Sequence, residues 1–181
     1  MHVSVDGLAA TPDRALNWIQ LDEAIFDLAD NQTDNADTAL YGRITYQLMD
    51  DYWPTAADQP GATRHDVHHA AWYNNVEKII LSRTMKRSQA GNTRFIGETV
   101  PAEIQSLKQR SGRNIIMFGS PGTVRSLLQH NLIDELWLFI NPVILGEGIP
   151  YLQDVKTHIK LQLLSSKTFP SGIVCVHYVT K

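Results

Sequence analysis

Three short segments rich in hydrogen-bond donors each follow a predicted buried strand. They are Gly42-Arg43-Ile44-Thr45, Ser82-Arg83-Thr84 and Gly119-Ser120-Pro121-Gly122-Thr123. In open α/β sheets, ligands collect beyond the carboxyl ends of the strands, so a ligand is expected to bind near these segments. Guanidinium groups, hydroxyls and backbone N–H groups are donors that suit an anion such as a phosphate.

The third segment is a glycine-containing turn that leads into a predicted helix. Such a turn exposes backbone N–H groups, and the helix dipole stabilises a nearby anion by ~0.3–1 kcal/mol. The hydroxyls of Ser120 and Thr123 would add donors to a phosphate. The segment is neither a complete GxGxxG motif nor a P-loop. A tight strand-to-helix connection, with Ser120 as the N-cap, is the alternative interpretation.

Arg83 and Arg43 are candidate phosphate ligands. The Arg83 guanidinium could grip a ribose phosphate, the group that distinguishes NADPH from NADH, although an exposed loop arginine would look the same in sequence. Arg43 follows Gly42 at a predicted helix N-terminus, where the dipole disfavours a cation. A bound phosphate would explain this placement, and so would a surface salt bridge.

Asp22 and Glu23 lie early in the first predicted helix, beside a loop over residues 9–17. A buried carboxylate there could relay a proton. Helix capping is the alternative, because the dipole also favours acidic residues in a first turn.

His65, His68 and His69 fall on one face of a predicted helix, which is a spacing that metal ligands use. No acidic or cysteine partner is fixed by the sequence, and we therefore expect no metal.

Apolar periodicity predicts a three-layer α/β/α fold whose mixed, mostly parallel central sheet ends in an antiparallel hairpin. The turn Phe169-Pro170-Ser171-Gly172 is expected to join the hairpin strands, and residues 52–63 to form one long loop. Asp6-Gly7 indicates a turn, and Gly146-Glu147-Gly148 is expected to form a mobile turn between strands. We expect a single domain over residues 1–181. Strands are predicted at residues 1–5, 36–41, 76–81, 93–96, 114–118, 135–145, 159–164 and 173–179, and helices at 18–30, 44–50, 65–74, 101–110 and 124–130.

The composition narrows the class of protein. With 16 Lys and Arg against 19 Asp and Glu, the net charge of -3 does not suit a nucleic-acid or anionic-membrane binder. The lone cysteine, Cys175, excludes an internal disulfide and a cysteine-based zinc site. No apolar run reaches ~18 residues and the start does not resemble a signal peptide, so a cytoplasmic protein is expected.

Six segments in chain order match the motifs of one known family. The first three are Ser4-Val5-Asp6-Gly7-Leu8-Ala9, which matches "SLDGyIA", Leu40-Tyr41-Gly42-Arg43-Ile44-Thr45-Tyr46, which matches "LlGRxTYe", and the aromatic loop Tyr52-Trp53-Pro54. The fourth is Ile80-Leu81-Ser82-Arg83-Thr84, which matches "vvSrT", and the fifth is Gly119-Ser120 followed by Leu132-Ile133-Asp134-Glu135-Leu136, which matches "GG/GS…gLvDEl". The sixth is Asn141-Pro142-Val143-Ile144-Leu145-Gly146-Glu147-Gly148, which matches "xPvllGxG".

With these motifs the chain resembles the dihydrofolate-reductase-like fold, and specifically the C-terminal reductase domain of the bacterial riboflavin-biosynthesis protein and its stand-alone relatives. The resemblance implies an NADPH-dependent reductase. It would transfer a hydride to the C=N or C=O group of a small pterin-like or ribosylaminopyrimidine-like heterocycle. A nucleotide-binding module without turnover is the alternative. Dihydrofolate reductases have two glycines joined by a cis peptide where this sequence has Gly119-Ser120.

The resemblance also implies roles for individual residues. A homodimer is expected as well, because the strand over residues 135–145 carries Trp137 and Phe139. The implied contacts are Gly42, Arg43, Thr45, Gly119, Ser120, Pro121, Gly122 and Thr123 with the cofactor phosphates, Ser82, Arg83 and Thr84 with the adenosine ribose phosphate, Ala9 and Ala10 with the nicotinamide, Trp18, Tyr46 and Trp53 with the substrate, and Asp22 or Glu23 as proton source.

Overall fold

Strands and helices alternate along the first two thirds of the chain, and strands dominate the last third. The computed structural model describes residues 1–85, 91–153 and 155–181. In chain order the elements are β1 (His2–Ser4), β2 (Leu8–Ala10), α1 (Glu23–Asp34), β3 (Ala36–Gly42), α2 (Arg43–Tyr52), a 3₁₀ helix (Trp53–Asp58), α3 (Arg64–Asn75), β4 (Glu77–Leu81), β5 (Thr93–Ile96), α4 (Val100–Lys108), β6 (Asn114–Ile116), α5 (Pro121–Leu128), β7 (Glu135–Asn141), β8 (Ile149–Pro150), β9 (Leu161–Thr168) and β10 (Val174–Thr180).

Contacts divide the chain into two compact units. Unit 1 contains Met1–Ile25 and Pro121–Lys181, and unit 2 contains Phe26–Ser120. The single domain predicted over residues 1–181 stays a prediction. Among the described residues, no helix combines the length and the apolar character that crossing a bilayer requires.

Unit 2 is built on a parallel sheet with strand order β5-β4-β3-β6. Its central strands β3 and β4 are largely buried, in agreement with the apolar runs Ala39-Leu40-Tyr41 and Ile79-Ile80-Leu81 that they contain. The helices α2 and α3 lie between β3 and β4, and α4 lies between β5 and β6. α3 begins with a reciprocal capping box between Thr63 and Asp66. Tyr41, Tyr46 and Tyr73 form much of an aromatic core against the sheet.

Lys78 is an unusual member of this core. It lies in β4 and is only 2% exposed. Its ammonium group lies 4.6 Å from the centroid of the Tyr73 ring and donates to Asn92 Oδ1 at 3.3 Å. Burial lowers the pKa of Lys78, although the charge of Asp50 opposes this effect. The contacts with Tyr73 and Asn92 partly compensate the cost of burying this amine.

Unit 1 contains a mixed sheet with strand order β1-β7-β10-β9, in which only the β1–β7 pair is parallel. The predicted hairpin between β9 and β10 is confirmed, and Gly172 at its turn has φ +82 and donates to the Phe169 carbonyl at 2.9 Å. A separate short pair joins β2 to β8. The described chain therefore has parallel and antiparallel strands with helices, and the predicted mixed α/β class is confirmed.

Several predicted boundaries were wrong. The first helix begins at Glu23 instead of residue 18, and the predicted loop over residues 9–17 starts within β2. The predicted long loop contains the 3₁₀ helix, which has Pro54 in its first turn. β7 ends at Asn141 instead of residue 145, because Pro142 cannot donate to a strand ladder.

Candidate functional site

The carboxyl ends of β3, β4 and β6 point to the same edge of the parallel sheet in unit 2. Gly42, the last residue of β3, pairs with Leu81, the last residue of β4, so Arg43 and Ser82 leave the sheet side by side. Gly119 and Ser120 follow β6, which pairs with the other side of β3. The structure therefore brings together the parts of the three donor-rich segments that belong to unit 2.

Ser120 connects the turn after β6 to the start of α2. Its hydroxyl accepts a hydrogen bond from the Gly42 N–H at 3.0 Å, and its own N–H donates to Thr45 Oγ1 at 3.2 Å. Ser120 is 5% exposed. Its backbone N–H is already engaged, so it is not one of the free donors that the sequence predicted for this turn. Its hydroxyl accepts from the N–H of Gly42, the residue before α2, and among the described contacts it does not cap α5, the helix that follows Ser120.

The turn requires an uncommon backbone conformation at two consecutive residues. Gly119 has φ +61 and Ser120 has φ +56, and the peptide bond between them is trans. A Cβ added to Gly119 would lie 3.4 Å from Thr45 Cγ2. The left-handed region costs a non-glycine residue about 1–2 kcal/mol. The two hydrogen bonds of Ser120 help to offset this cost.

The N-terminus of α2 keeps its capacity to bind an anion. No side chain caps it, and its first turn contains no acidic residue. Arg43 is exposed there, and its guanidinium donates to the neutral Gln47 side chain at 3.1 Å. This neutral partner gives no support to the salt-bridge alternative. The first-turn N–H groups and Arg43 together present positive charge at the sheet edge.

Arg83 is an exposed arginine without a hydrogen-bond or ion-pair partner among the described residues. Its neighbour Ser82 shapes the loop, because the Ser82 hydroxyl accepts from the N–H groups of Thr84 at 3.3 Å and Met85 at 2.9 Å. A Cβ at Gly97 would lie 3.1 Å from the Ser82 carbonyl oxygen, so β5 approaches this loop closely. The Ser82 hydroxyl thus fixes the backbone on the C-terminal side of Arg83.

Unit 1 holds the remaining residues predicted to bind the cofactor. Ala9 and Ala10 are buried in β2. The three other residues, Pro121, Gly122 and Thr123, form the first turn of α5, which contains no acidic side chain.

Residues 145–148 form a loop before β8, and contacts with Asp6 and Ala10 that the sequence did not reveal fix it in place. A Cβ at Gly148 would lie 2.2 Å from the Ala10 carbonyl oxygen, so only glycine fits. The Asp6 carboxylate accepts from the N–H groups of Leu145 at 3.2 Å and Gly146 at 2.8 Å. Hydrogen bonds, chiefly from the Ser4 hydroxyl and the Gly146 N–H, lower the pKa of Asp6 to about 2. The sequence signalled only a turn at Asp6-Gly7 and a mobile turn near Gly148.

Asp22 is the N-cap of α1. One carboxylate oxygen accepts from the Ile25 N–H at 3.0 Å and the other from the Ser171 hydroxyl at 2.8 Å. Burial alone would raise the pKa of Asp22, but the hydrogen bonds from Ser171 and the backbone hold it below its ordinary value. This geometry supports the capping interpretation and keeps Asp22 ionised. Glu23 is exposed in the first turn of α1.

The three predicted substrate-side aromatic residues have different surroundings. Trp18 is half-buried in unit 1, and its indole N–H donates to the Ala15 carbonyl at 3.2 Å. Tyr46 is buried in the aromatic core of unit 2, with its ring centroid 6.3 Å from that of Phe95. Trp53 is half-buried, and its ring centroid lies 3.9 Å from the ring centroid of His69. Their substrate-side roles stay predictions.

Two of the three histidines of α3, His65 and His68, have partners on α1 that the sequence did not reveal. His65 Nδ1 lies 2.6 Å from Asp30 Oδ1, and His68 Nε2 lies 3.1 Å from Asp34 Oδ1. His69 is 2% exposed, and neither of its ring nitrogens has a hydrogen-bond partner. Within the described ranges, no group of three His, Cys, Asp or Glu residues has a geometry that could hold a metal ion.

A protein-family model and a related protein match nearly the whole chain. Residues 1–175 match the model of the RibD C-terminal domain family. The Bacillus subtilis protein YyaP, itself uncharacterized, is 31% identical over 181 residues, which is 98% of this chain and 91% of YyaP.

Solved structures of two reductases share the fold. Dihydrofolate reductase from Enterococcus faecalis, complexed with NADP(H), has a TM-score of 0.62 at 13% identity, covering 99% of this chain and 93% of that one. The deaminase and 5-amino-6-(5-phosphoribosylamino)uracil reductase of Thermotoga maritima has a TM-score of 0.68 at 15% identity. That match covers 99% of this chain and 55% of the larger protein. The fold is therefore dihydrofolate-reductase-like, as predicted.

Proposed function

We propose that this chain, which belongs to the RibD C-terminal domain family, is an NADPH-dependent reductase. Its substrate would be a small pterin-like or ribosylaminopyrimidine-like heterocycle, reduced at a C=N or C=O bond. The observation that carries the proposal is the edge of the parallel sheet in unit 2. There an uncapped helix N-terminus, Arg43 and Arg83, which has no ion-pair partner among the described residues, concentrate positive charge. A phosphate-rich cofactor suits such a set of donors.

The residues of the chain would mainly bind and orient the reactants. NADPH supplies the hydride when bound. In unit 2, Arg83 would hold the adenosine ribose phosphate, and the start of α2 the other phosphates. In unit 1, the small side chains of Ala9 and Ala10 would let the nicotinamide approach closely.

The reduction also consumes a proton. Asp22 is held ionised by its hydrogen bonds, and these leave it poorly suited to donate one. Glu23 is exposed and is the remaining carboxylate of the predicted pair.

The first test concerns the role of Arg83. In the wild-type protein, NADPH at ~100 times its dissociation constant should stabilise the fold by ~2.7 kcal/mol, seen as a rise in melting temperature. Arg83→Ala should weaken NADPH binding ~10- to 100-fold, because a hydrogen bond to a charged group contributes about 1.5–3 kcal/mol. NADH binding should be unchanged, because NADH lacks the ribose phosphate.

Arg94→Ala is the matched control for this test, because Arg94 is a surface arginine already paired with Glu103. It should bind both cofactors like the wild type. Equal loss of NADPH and NADH binding in Arg83→Ala would contradict the role of Arg83. A wild-type melting temperature that neither cofactor raises would contradict the proposed function.

A nucleotide-binding module without turnover is the second candidate, and the capping role of Asp22 favours it. The two candidates differ in one measurement. Oxidation of NADPH above background in the presence of a pterin or a ribosylaminopyrimidine would establish the reductase. Binding of NADPH without any oxidation would favour the module.

We also propose that two copies of the chain associate along β9. All eight residues of this edge strand are exposed, and Leu161, Leu163 and Leu164 are 38–51% exposed. Trp137 and Phe139, which led to the predicted homodimer, are half-buried and stack on His177 and His2. A long exposed edge strand that carries apolar side chains tends to pair with another strand. Antiparallel pairing with a second β9 is compatible with the two-fold symmetry of most homodimers.

Light scattering tests this association. The wild-type protein should have the mass of a dimer at micromolar concentration, and Leu163→Lys should shift it to the monomer by placing a charge on the edge. Leu48→Lys, on an exposed leucine of α2, is the control and should stay dimeric. A wild-type monomer at every concentration would contradict the proposal.

A further inference from the structure

We infer that Arg125 is a positioning residue that fixes the segment Ala9-Ala10 for the nicotinamide end of the cofactor. The inference rests on the proposed function and adds a residue that no motif identified. Arg125 lies in α5 and is half-buried. It would act through backbone groups and would not itself touch the reacting atoms.

The contacts of Arg125 lead directly to β8. Its guanidinium donates from Nη1 to the Pro150 carbonyl at 2.6 Å, with a longer contact to the Tyr151 carbonyl at 3.4 Å. Both acceptors are uncharged, so these bonds leave the positive charge of the guanidinium uncompensated. A hydrogen bond from a charged donor stabilises more than one between neutral groups.

β8 in turn holds the segment that contains Ala9 and Ala10. Leu8 pairs with Pro150 and Ala10 with Ile149 in an antiparallel ladder. The Tyr151 N–H donates to the Gly7 carbonyl at 3.0 Å, which extends the connection by one more bond. β8 has only two residues, and a strand this short depends on neighbouring contacts to stay in place. Arg125 supplies such a contact from α5.

The same guanidinium lies beside the first turn of α5. Its Nη2 atom is 4.0 Å from the position that a Cβ would take at Gly122. Gly122 is one of the residues predicted to meet the cofactor phosphates. One side chain therefore connects that turn with β8, and through β8 with Ala9 and Ala10. Loss of the side chain should loosen the segment beside the nicotinamide and leave the adenosine end unaffected.

Two ligands separate these effects. NADPH carries both a nicotinamide and an adenosine 2′-phosphate, whereas adenosine 2′,5′-bisphosphate carries only the adenosine and ribose phosphate that Arg83 would hold. Arg125→Ala should weaken NADPH binding by ~10-fold and leave the bisphosphate dissociation constant unchanged. Arg125→Lys keeps the positive charge and an N–H donor for the Pro150 carbonyl. It should therefore bind NADPH more tightly than Arg125→Ala and less tightly than the wild type. Ser126→Ala, an exposed neighbour, should bind both ligands like the wild type.

Hydrogen exchange provides a readout without any ligand. The amides of Ala10 and Tyr151 should exchange at least ~10-fold faster in Arg125→Ala, and amides of β3 in unit 2 should not change. If Arg125→Ala does not fold, Arg125→Lys carries the same comparison.

Unchanged NADPH binding in the variant, or equal weakening of both ligands, would overturn the inference. If the wild-type protein binds neither ligand, the proposed function fails and the inference fails with it. A failure confined to the variant would overturn the role of Arg125 alone.

Discussion

Gly148→Ala is expected to destabilise unit 1 by about 2–4 kcal/mol. An alanine Cβ at this position would lie 2.2 Å from the Ala10 carbonyl oxygen and 3.3 Å from Leu8 Cδ1. The first distance is far inside van der Waals contact, and the obstacle is backbone, so β2 and β8 must separate. Overpacking costs about 1–3 kcal/mol, and each backbone hydrogen bond lost costs about 0.5–1.5 kcal/mol more.

Urea denaturation measures this loss as a lower transition midpoint. Gly91→Ala is the matched control, because no atom lies within 4 Å of its added Cβ and its φ is not positive. It should stay within about 0.5 kcal/mol of the wild type. Equal midpoints for the two variants would show that the loop accommodates the methyl group and that the close approach at Ala10 is not a constraint.

The second large effect is a loss of stability in mild acid caused by His69. Burial, with smaller effects of the nearby His65 and His68, lowers the pKa of His69 to about 3, and Asp66 opposes these effects. In the unfolded chain its pKa returns to the ordinary value of about 6.5. Between these two values the unfolded chain binds a proton that the folded chain does not. The part of the free energy of unfolding that depends on neutral His69 is therefore fully present above the unfolded pKa. It is lost as the pH falls below that value, by up to about 1.4 kcal/mol per pH unit.

The structural cause is a site in which neither ring nitrogen of His69 has a hydrogen-bond partner among the described residues. The His69 ring is surrounded by the rings of Trp53, His65, Trp72 and Phe118. A charged imidazolium there would be buried without a hydrogen-bond acceptor among the described residues.

His69→Phe keeps a ring in this position and removes the titration. Between about pH 7 and pH 5 the wild-type protein should lose about 2 kcal/mol more free energy of unfolding than this variant. His2, whose pKa burial lowers to about 3, is present in both proteins and cancels in the difference. The exposed His130→Phe is the control and should follow the wild-type curve. Parallel curves for the wild type and His69→Phe would contradict this account.

Local sequence patterns predicted most of unit 2. The strands and helices from β3 to β6 follow from apolar runs and helical spacing, because both patterns operate over a few neighbouring residues. The sheet-edge rule then located the donor-rich segments, since parallel strands place their carboxyl ends together. The start of α1 was misplaced, because Trp18 and Leu21 continue the helical spacing while the cap at Asp22 lies inside it.

The details of the candidate site depend on contacts between residues far apart in the sequence. The hydroxyl of Ser120 accepts a hydrogen bond from the N–H of Gly42, which is 78 residues away, and the Arg125 guanidinium donates to the Pro150 carbonyl. No spacing rule connects such pairs. Gly148 is read from the sequence as a flexible turn, and only the distance to Ala10 shows that its missing side chain is a packing requirement.

The position of Lys78 has a consequence for chemical modification of the protein. An acylating or methylating reagent needs an accessible, neutral amine, and the Lys78 amine lies beneath the Tyr73 ring with almost no solvent contact. Reagents that modify surface lysines within minutes will reach it only when unit 2 opens. The rate of acylation at Lys78, measured by mass spectrometry, therefore reports on the opening of the parallel sheet.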